Sequence, residues 1–87
     1  MTTVTLDYPI MVGGDRVERL EVRRANVGDL EAAEAAGPGR VAMTRVLISR
    51  LTGLLPGEAQ SIDAADFGKL GREVAGFLPR PEPGAGA

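Results

Sequence analysis

Leu51-Thr-Gly-Leu-Leu-Pro-Gly-Glu58, followed by Ile62-Asp-Ala-Ala-Asp-Phe-Gly-Lys-Leu70, Val74 and Phe77-Leu78, decides how this chain folds. Gly53 stops one helix and Pro56 opens a short turn that runs through Ile62. Asp63 stands where a helix N-cap belongs, and Asp66 follows beside the positive end of the helix dipole. Phe67, Leu70, Val74 and Phe77 then recur at spacings of three, four and three, the apolar stripe of an amphipathic helix, and Leu78 extends it. Beside that stripe runs a lane of small residues, Ala64, Gly68, Gly71 and Ala75. Each glycine costs about 1 kcal/mol of helix propensity relative to alanine, and in exchange the lane lets another backbone come close. The stretch carries no catalytic constellation, so it points to binding.

Working upstream, Arg40 to Thr52 reads as a helix with Met43, Leu47 and Leu51 in one line, Ile48 and Val41 beside it, and Val46 on the far flank. Its apolar arc covers about half the circumference, wider than the roughly 100° stripe of a helix lying on a single core. Such a helix is either central or packed against another chain. Asn26-Val-Gly-Asp29 supplies a cap and an acidic first turn for an earlier helix through Leu30 and the alanine-rich run, which Gly37-Pro38-Gly39 ends.

At the N-terminal end, Val4, Leu6 and Tyr8 alternate with Thr3, Thr5 and Asp7, the period of a half-buried strand, and Pro9 limits that strand to an edge or a bend. Gly13-Gly14-Asp15 is a hairpin turn, and the return strand up to Arg24 turns Leu20 and Val22 inward. Val17 and Leu20 are three apart, which predicts a bulge or a late strand start on the return arm. The fold class is therefore α+β: a β-hairpin over residues 1–24, a small bundle of about three helices over residues 25–78 of the same domain, and a flexible tail over 79–87, rich in proline and glycine.

The composition narrows the function. The 87 residues contain no Cys and no His, which removes thiolate nucleophiles, imidazole bases, disulfides and most transition-metal sites. A formal charge of -2, with ten basic residues scattered among twelve acids, argues against a nucleic-acid face. The N-terminus has neither a basic start nor a long apolar run, so a soluble, cytoplasmic protein is expected.

Each remaining cluster has two readings. Asp63 and Asp66 can be general acid and base or Mg²⁺ ligands, but helix capping accounts for both. Gly13-Gly14-Asp15 lacks the lysine, the hydroxyl residue and the helix of a phosphate-binding loop, which leaves a turn. Ser49, Ser61 and Tyr8 have no histidine to activate them, and Lys69 stands alone on the polar side of its helix. Arg16, Arg19, Arg23 and Arg24 suit an acidic partner or phosphates, yet Glu18 and Glu21 interleave with them as on a solvated, cross-strand paired face. No catalytic, cofactor-binding or metal-ligating residue is assigned.

Taken in order, the hairpin ending in Leu20-Glu-Val-Arg-Arg24, the helix opened by Val27-Gly-Asp-Leu30, the Leu51-Thr-Gly-Leu54 segment with Pro56, Asp63-Ala-Ala-Asp-Phe67 and the terminal Phe77-Leu78 resemble the small tail assembly chaperones of contractile-tailed phages such as Mu and P2. The resemblance covers residues 3–78. It departs from the family pattern at Ala25-Asn26, where a Pro-Thr-like cap is usual, and at Gly68 and Gly71, which replace better helix formers. The resemblance implies a non-enzymatic protein that holds the helical tape measure protein in the bacterial host cytoplasm, prevents its aggregation, and leaves as tail tube subunits polymerise, so that it is absent from the mature virion. It also implies that a longer form can arise by frameshifting near the end of the coding region.

Self-association and contact with the tail tube protein are further partner expectations; nucleic acid, membrane and small-molecule substrates are not. An inner layer of Met43, Leu47, Leu51, Phe67, Leu70 and Val74 is expected, with Val41, Ile48, Gly68 and Gly71 bordering the partner-binding or self-association surface. Two other classes stay open. A structural head-tail or tail component would be found in purified particles, and a small DNA-binding regulator would show salt-dependent DNA binding.

Overall fold

The computed structural model describes residues 1–76. Along them run β1 (Thr2–Val12), β2 (Asp15–Val22), α1 (Val27–Ala35), α2 (Arg40–Thr52), α3 (Pro56–Gln60) and α4 (Ala64–Ala75). The expected Phe77-Leu78 extension of the stripe and the tail over 79–87 lie outside the described residues.

The two strands pair antiparallel, and Val12 faces Asp15 across Gly13 and Gly14, whose φ angles are 58° and 87°. Two successive positive φ angles make a type I′ turn, the turn whose twist matches that of the strands it joins. Near the open end of the hairpin, Val4 pairs with Leu20 and Thr2 with Val22. The register then slips: Thr5 pairs with Arg19 and Ile10 with Val17, so Leu6, Asp7, Tyr8 and Pro9 stand opposite Glu18 alone.

The irregularity expected on the return strand thus sits on β1. Pro9 has no N–H to give to a ladder, and a bulge is where a strand tolerates it. The bulge also breaks the expected alternation. Val4 and Leu6 are buried, but Tyr8 is 57% exposed and Ile10 takes the inward position instead.

Asn26 caps α1 in a reciprocal box: its side chain accepts from the Asp29 N–H at 3.1 Å, and the Asp29 carboxylate accepts from the Asn26 N–H at 2.8 Å. Gly53 closes α2 with φ 80°, as the sequence indicates. The stretch after Pro56, expected as a turn, winds instead into a single-turn helix. There the Glu58 carboxylate accepts from the Leu55 N–H at 2.8 Å, which adds a short fourth helix. Asp63 caps α4 by accepting from the Ala65 N–H at 2.9 Å.

Hairpin and helices share one apolar core. Val4, Leu6, Ile10, Leu20 and Val22 meet Leu47, Ile48 and Leu51 of α2 and Leu70 and Val74 of α4. Helix α2 touches α1, α3, α4 and β2, which accounts for most of its wide apolar arc. Val46, on the far flank, packs partly buried against the same cluster. Burying a side chain such as Leu70 completely contributes roughly 1.5–3 kcal/mol, so a few such residues carry much of the stability of a chain this short.

Candidate functional site

Two fully buried carboxylates hold the frame. Asp66, in the first turn of α4, accepts from the Asp7 N–H at 2.9 Å and from the Tyr8 N–H at 2.9 Å, one on each oxygen. These two donors belong to the bulge of β1. The Lys69 ammonium, one turn along α4, donates to the Thr5 carbonyl at 2.7 Å and lies 3.3 Å from the Asp7 carboxylate and 3.8 Å from that of Asp66. Lys69, expected to stand alone, is thus part of this seam.

The second carboxylate, Asp29, receives both arms of the Arg23 guanidinium at 2.8 Å each and the Arg50 Nε–H at 2.8 Å, besides its capping bond. It ties the end of the hairpin to α1 and α2. Arg23 therefore leaves the solvated arginine face expected of the return strand, whereas Arg16 stays at the surface beside Glu18 at 3.3 Å.

These bonds decide what the carboxylates can do. The Arg23 fork does most to hold Asp29 far below the ordinary carboxylate range, against the opposing effect of burial, with Asn26 and Arg50 adding to it. For Asp66 the largest influence is burial, which pushes the carboxyl up. The Asp7 and Tyr8 N–H groups and Lys69 outweigh it and keep the group below its ordinary value. Both are anions with their oxygens engaged, which suits a structural anchor and not a proton shuttle. Among the described residues no buried side-chain polar atom lacks a partner, and no three carboxylates cluster as a metal site would require.

The unfinished surface lies on another side of α4. Between α2 and α4 opens a groove of about 650 Å³ whose walls include Val41, Met43, Leu47, Phe67 and Ala75. Gly68 and Gly71 line it too. The two helices approach closely at Gly71, where a Cβ would meet Thr44 Cγ2 at 3.6 Å. At Gly68 the nearest atom to a Cβ would be Arg72 Nη1 at 3.8 Å, so the position looks onto open space.

The structure brings together three of the four residues expected to border a partner surface. Val41 stands 67% exposed on the rim, with Gly68 and Gly71 beside it. Ile48 does not join them. It is fully buried, because its side of α2 faces the shared core, and it offers nothing to a partner. Met43 and Phe67, expected within the inner layer, are only partly buried and form groove wall and core edge at once.

Sequence reasoning missed the rim arginines, Arg40 and Arg72, which both line the groove. Arg40 opens α2 and Arg72 follows Gly71, so their proximity to the exposed Val41 and to the glycine lane was the available signal.

No curated protein and no solved structure matches this chain. A family model does, over residues 3–79, which takes in all but the first residue of the hairpin, the four helices, both carboxylate anchors and the groove. On that match the chain belongs to the family of phage tail assembly chaperone proteins, E, or 41 or 14.

Proposed function

We propose that this chain is a non-enzymatic chaperone that binds the tape measure protein during tail morphogenesis, and that the α2–α4 groove is where it does so. The observation that carries the proposal is the groove itself, an apolar surface left open where the buried side-chain polar atoms of the described residues are all satisfied. Exposed apolar surface on a small protein marks an interaction site, and a long helical protein that is not yet packed into a tube exposes apolar stripes that need covering. No helix of the described residues is long and apolar enough to cross a membrane.

Co-expression with the tape measure protein of the same phage tests the proposal. The soluble fraction of the tape measure protein is expected to rise with this chain present and to fall back with Val41→Asp, which places a charge on the groove rim without disturbing the core. Equal solubility with and without the chain would refute the proposal. A chaperone acting in the host cytoplasm is also absent from purified particles; finding this chain there in stoichiometric amount would make it a tail component instead.

A further inference from the structure

We propose that the occupant of the α2–α4 groove is an amphipathic helix that carries carboxylates beside its apolar stripe. The groove is bounded by α2, α4 and Pro38, and no strand edge lines it. An extended peptide seated there would find no backbone partners and would leave its own N–H and C=O groups unpaired. A helix satisfies its backbone internally and brings only side chains. The small residues Gly68, Gly71 and Ala75 let such a helix approach closely, with Val41, Met43 and Phe67 meeting its apolar stripe. A small molecule is poorly served, since among the described residues no buried side-chain polar atom is left unpaired to orient it.

Charge specifies the partner further. The chain carries a net charge of -2, yet the charged residues lining the groove are Arg40 and Arg72, with no acidic side chain among them. Among the described residues neither arginine has an ion-pair partner. Two guanidinium groups on the rim of an apolar groove complement carboxylates flanking an apolar stripe. The same two groups disfavour a second copy of this chain, because a two-fold pairing through this patch sets it against itself and brings like charges together.

The test uses two synthetic helical peptides with one shared apolar stripe, flanked by glutamates in the first and by lysines in the second. Each is titrated into the full chain while the Gly68 and Gly71 amide and Val41 methyl resonances are followed. The glutamate peptide is expected to bind about tenfold more tightly at low salt, to move those resonances, and to lose most of its advantage near about 0.5 M salt. The double substitution Arg40→Glu with Arg72→Glu reverses the preference. The overall negative charge of the chain would by itself favour the lysine peptide, so a glutamate preference reports the groove.

Equal affinities, shifts confined to other surfaces, or an unchanged preference in the double variant would overturn the proposal. It would equally fail if Val41 in the free chain showed contacts from residues 77–87, or shifts that grow with protein concentration, since the occupant would then be the chain's own end or a second copy. The proposal rests on the groove assigned above to partner binding, but not on the identity of that partner. If neither peptide binds while the chain still keeps the tape measure protein soluble, only the acidic helix is lost. If the glutamate peptide binds and the tape measure protein gains no solubility, only the tape measure assignment is lost.

Discussion

Helix α4 presents two sides that end differently. Toward β1, Asp66 and Lys69 meet specific backbone groups of the bulge, namely the N–H groups of Asp7 and Tyr8 and the carbonyl of Thr5. Toward α2, Gly71 packs close to Thr44 while Gly68 meets little, and a groove remains open beside them. The two sides are complementary in purpose. A helix carrying two glycines in its interior is weakened by about 2 kcal/mol relative to alanines, and firm attachment on one side lets the other stay bare without loss of the fold. The distinction also separates residues that set stability from residues proposed to set binding, and it can be broken from either end.

Acid is the strongest perturbation, because it discharges both buried anchors. Asp66 and Asp29 have folded-state pKa values below those of unfolded chains, so in the acid range the unfolded state binds more protons and stability drops as pH is lowered. Their contribution is fully present above about pH 4 to 5, near and above the ordinary aspartate value, and is lost as pH falls through the folded values. A urea midpoint that stays flat from pH 6 down to about pH 3 would contradict this. Asp66→Ala is expected to lower stability by about 3 kcal/mol, since two N–H groups of the bulge lose a charged acceptor beneath α4. The variant should also show a shallower acid slope. A loss under about 1 kcal/mol would mean that water replaces the carboxylate readily and that the seam does not hold the helix.

Asp29→Ala should cost less, about 2 kcal/mol, although Asp29 makes more bonds. The reason is what each substitution leaves behind. The side chains of Arg23 and Arg50 are 39% and 45% exposed and can turn to water, whereas the orphaned N–H groups of the bulge are fixed in the backbone. Chemical denaturation of both variants side by side checks the order. If Asp29→Ala proves the worse, the tie between the hairpin end and α2 is the main anchor, and the seam along α4 is secondary.

Much of this architecture was legible in the sequence, and the part that was not has a common cause. Asn26, Asp63, Gly53 and the Gly13-Gly14 turn act on neighbours within a few residues, so local chemistry suffices to place them. Asp66 reads locally as a second acid in a helical first turn, and its main partners lie 58 and 59 residues away. Which N–H groups need an acceptor depends on where β1 bulges, and pairing register is a property of two strands together. Ile48 was misplaced for a related reason. Helical periodicity shows that a residue lies on the apolar arc of α2, but only the packing of α1, α3, α4 and β2 around it decides which part of that arc is closed. Val41 lies on the same arc, and periodicity alone does not show that it, unlike Ile48, stays exposed.

Lys69→Met, at about 1 kcal/mol, probes the exposed edge of the seam, where the ammonium bond to Thr5 and the ion pairs with Asp7 and Asp66 are lost and the hydrocarbon stem is retained. The smallest and most discriminating change is Gly68→Ala, because its effects on stability and binding should have opposite signs. The new methyl has only Arg72 Nη1 within 4 Å, at 3.8 Å, and the helix gains propensity, so thermal unfolding should rise by the equivalent of about 0.5–1 kcal/mol. The same methyl projects into the space that a partner helix would occupy, so affinity for that partner should fall severalfold in a titration. Gly71→Ala is the control: its methyl would rest at 3.6 Å from Thr44 Cγ2, inside the contact that α2 and α4 already make. It should stabilise to a similar degree and change binding less. If both substitutions stabilise and neither weakens binding, the open side of α4 is not where the partner sits, and the contrast between its two sides reduces to one of packing.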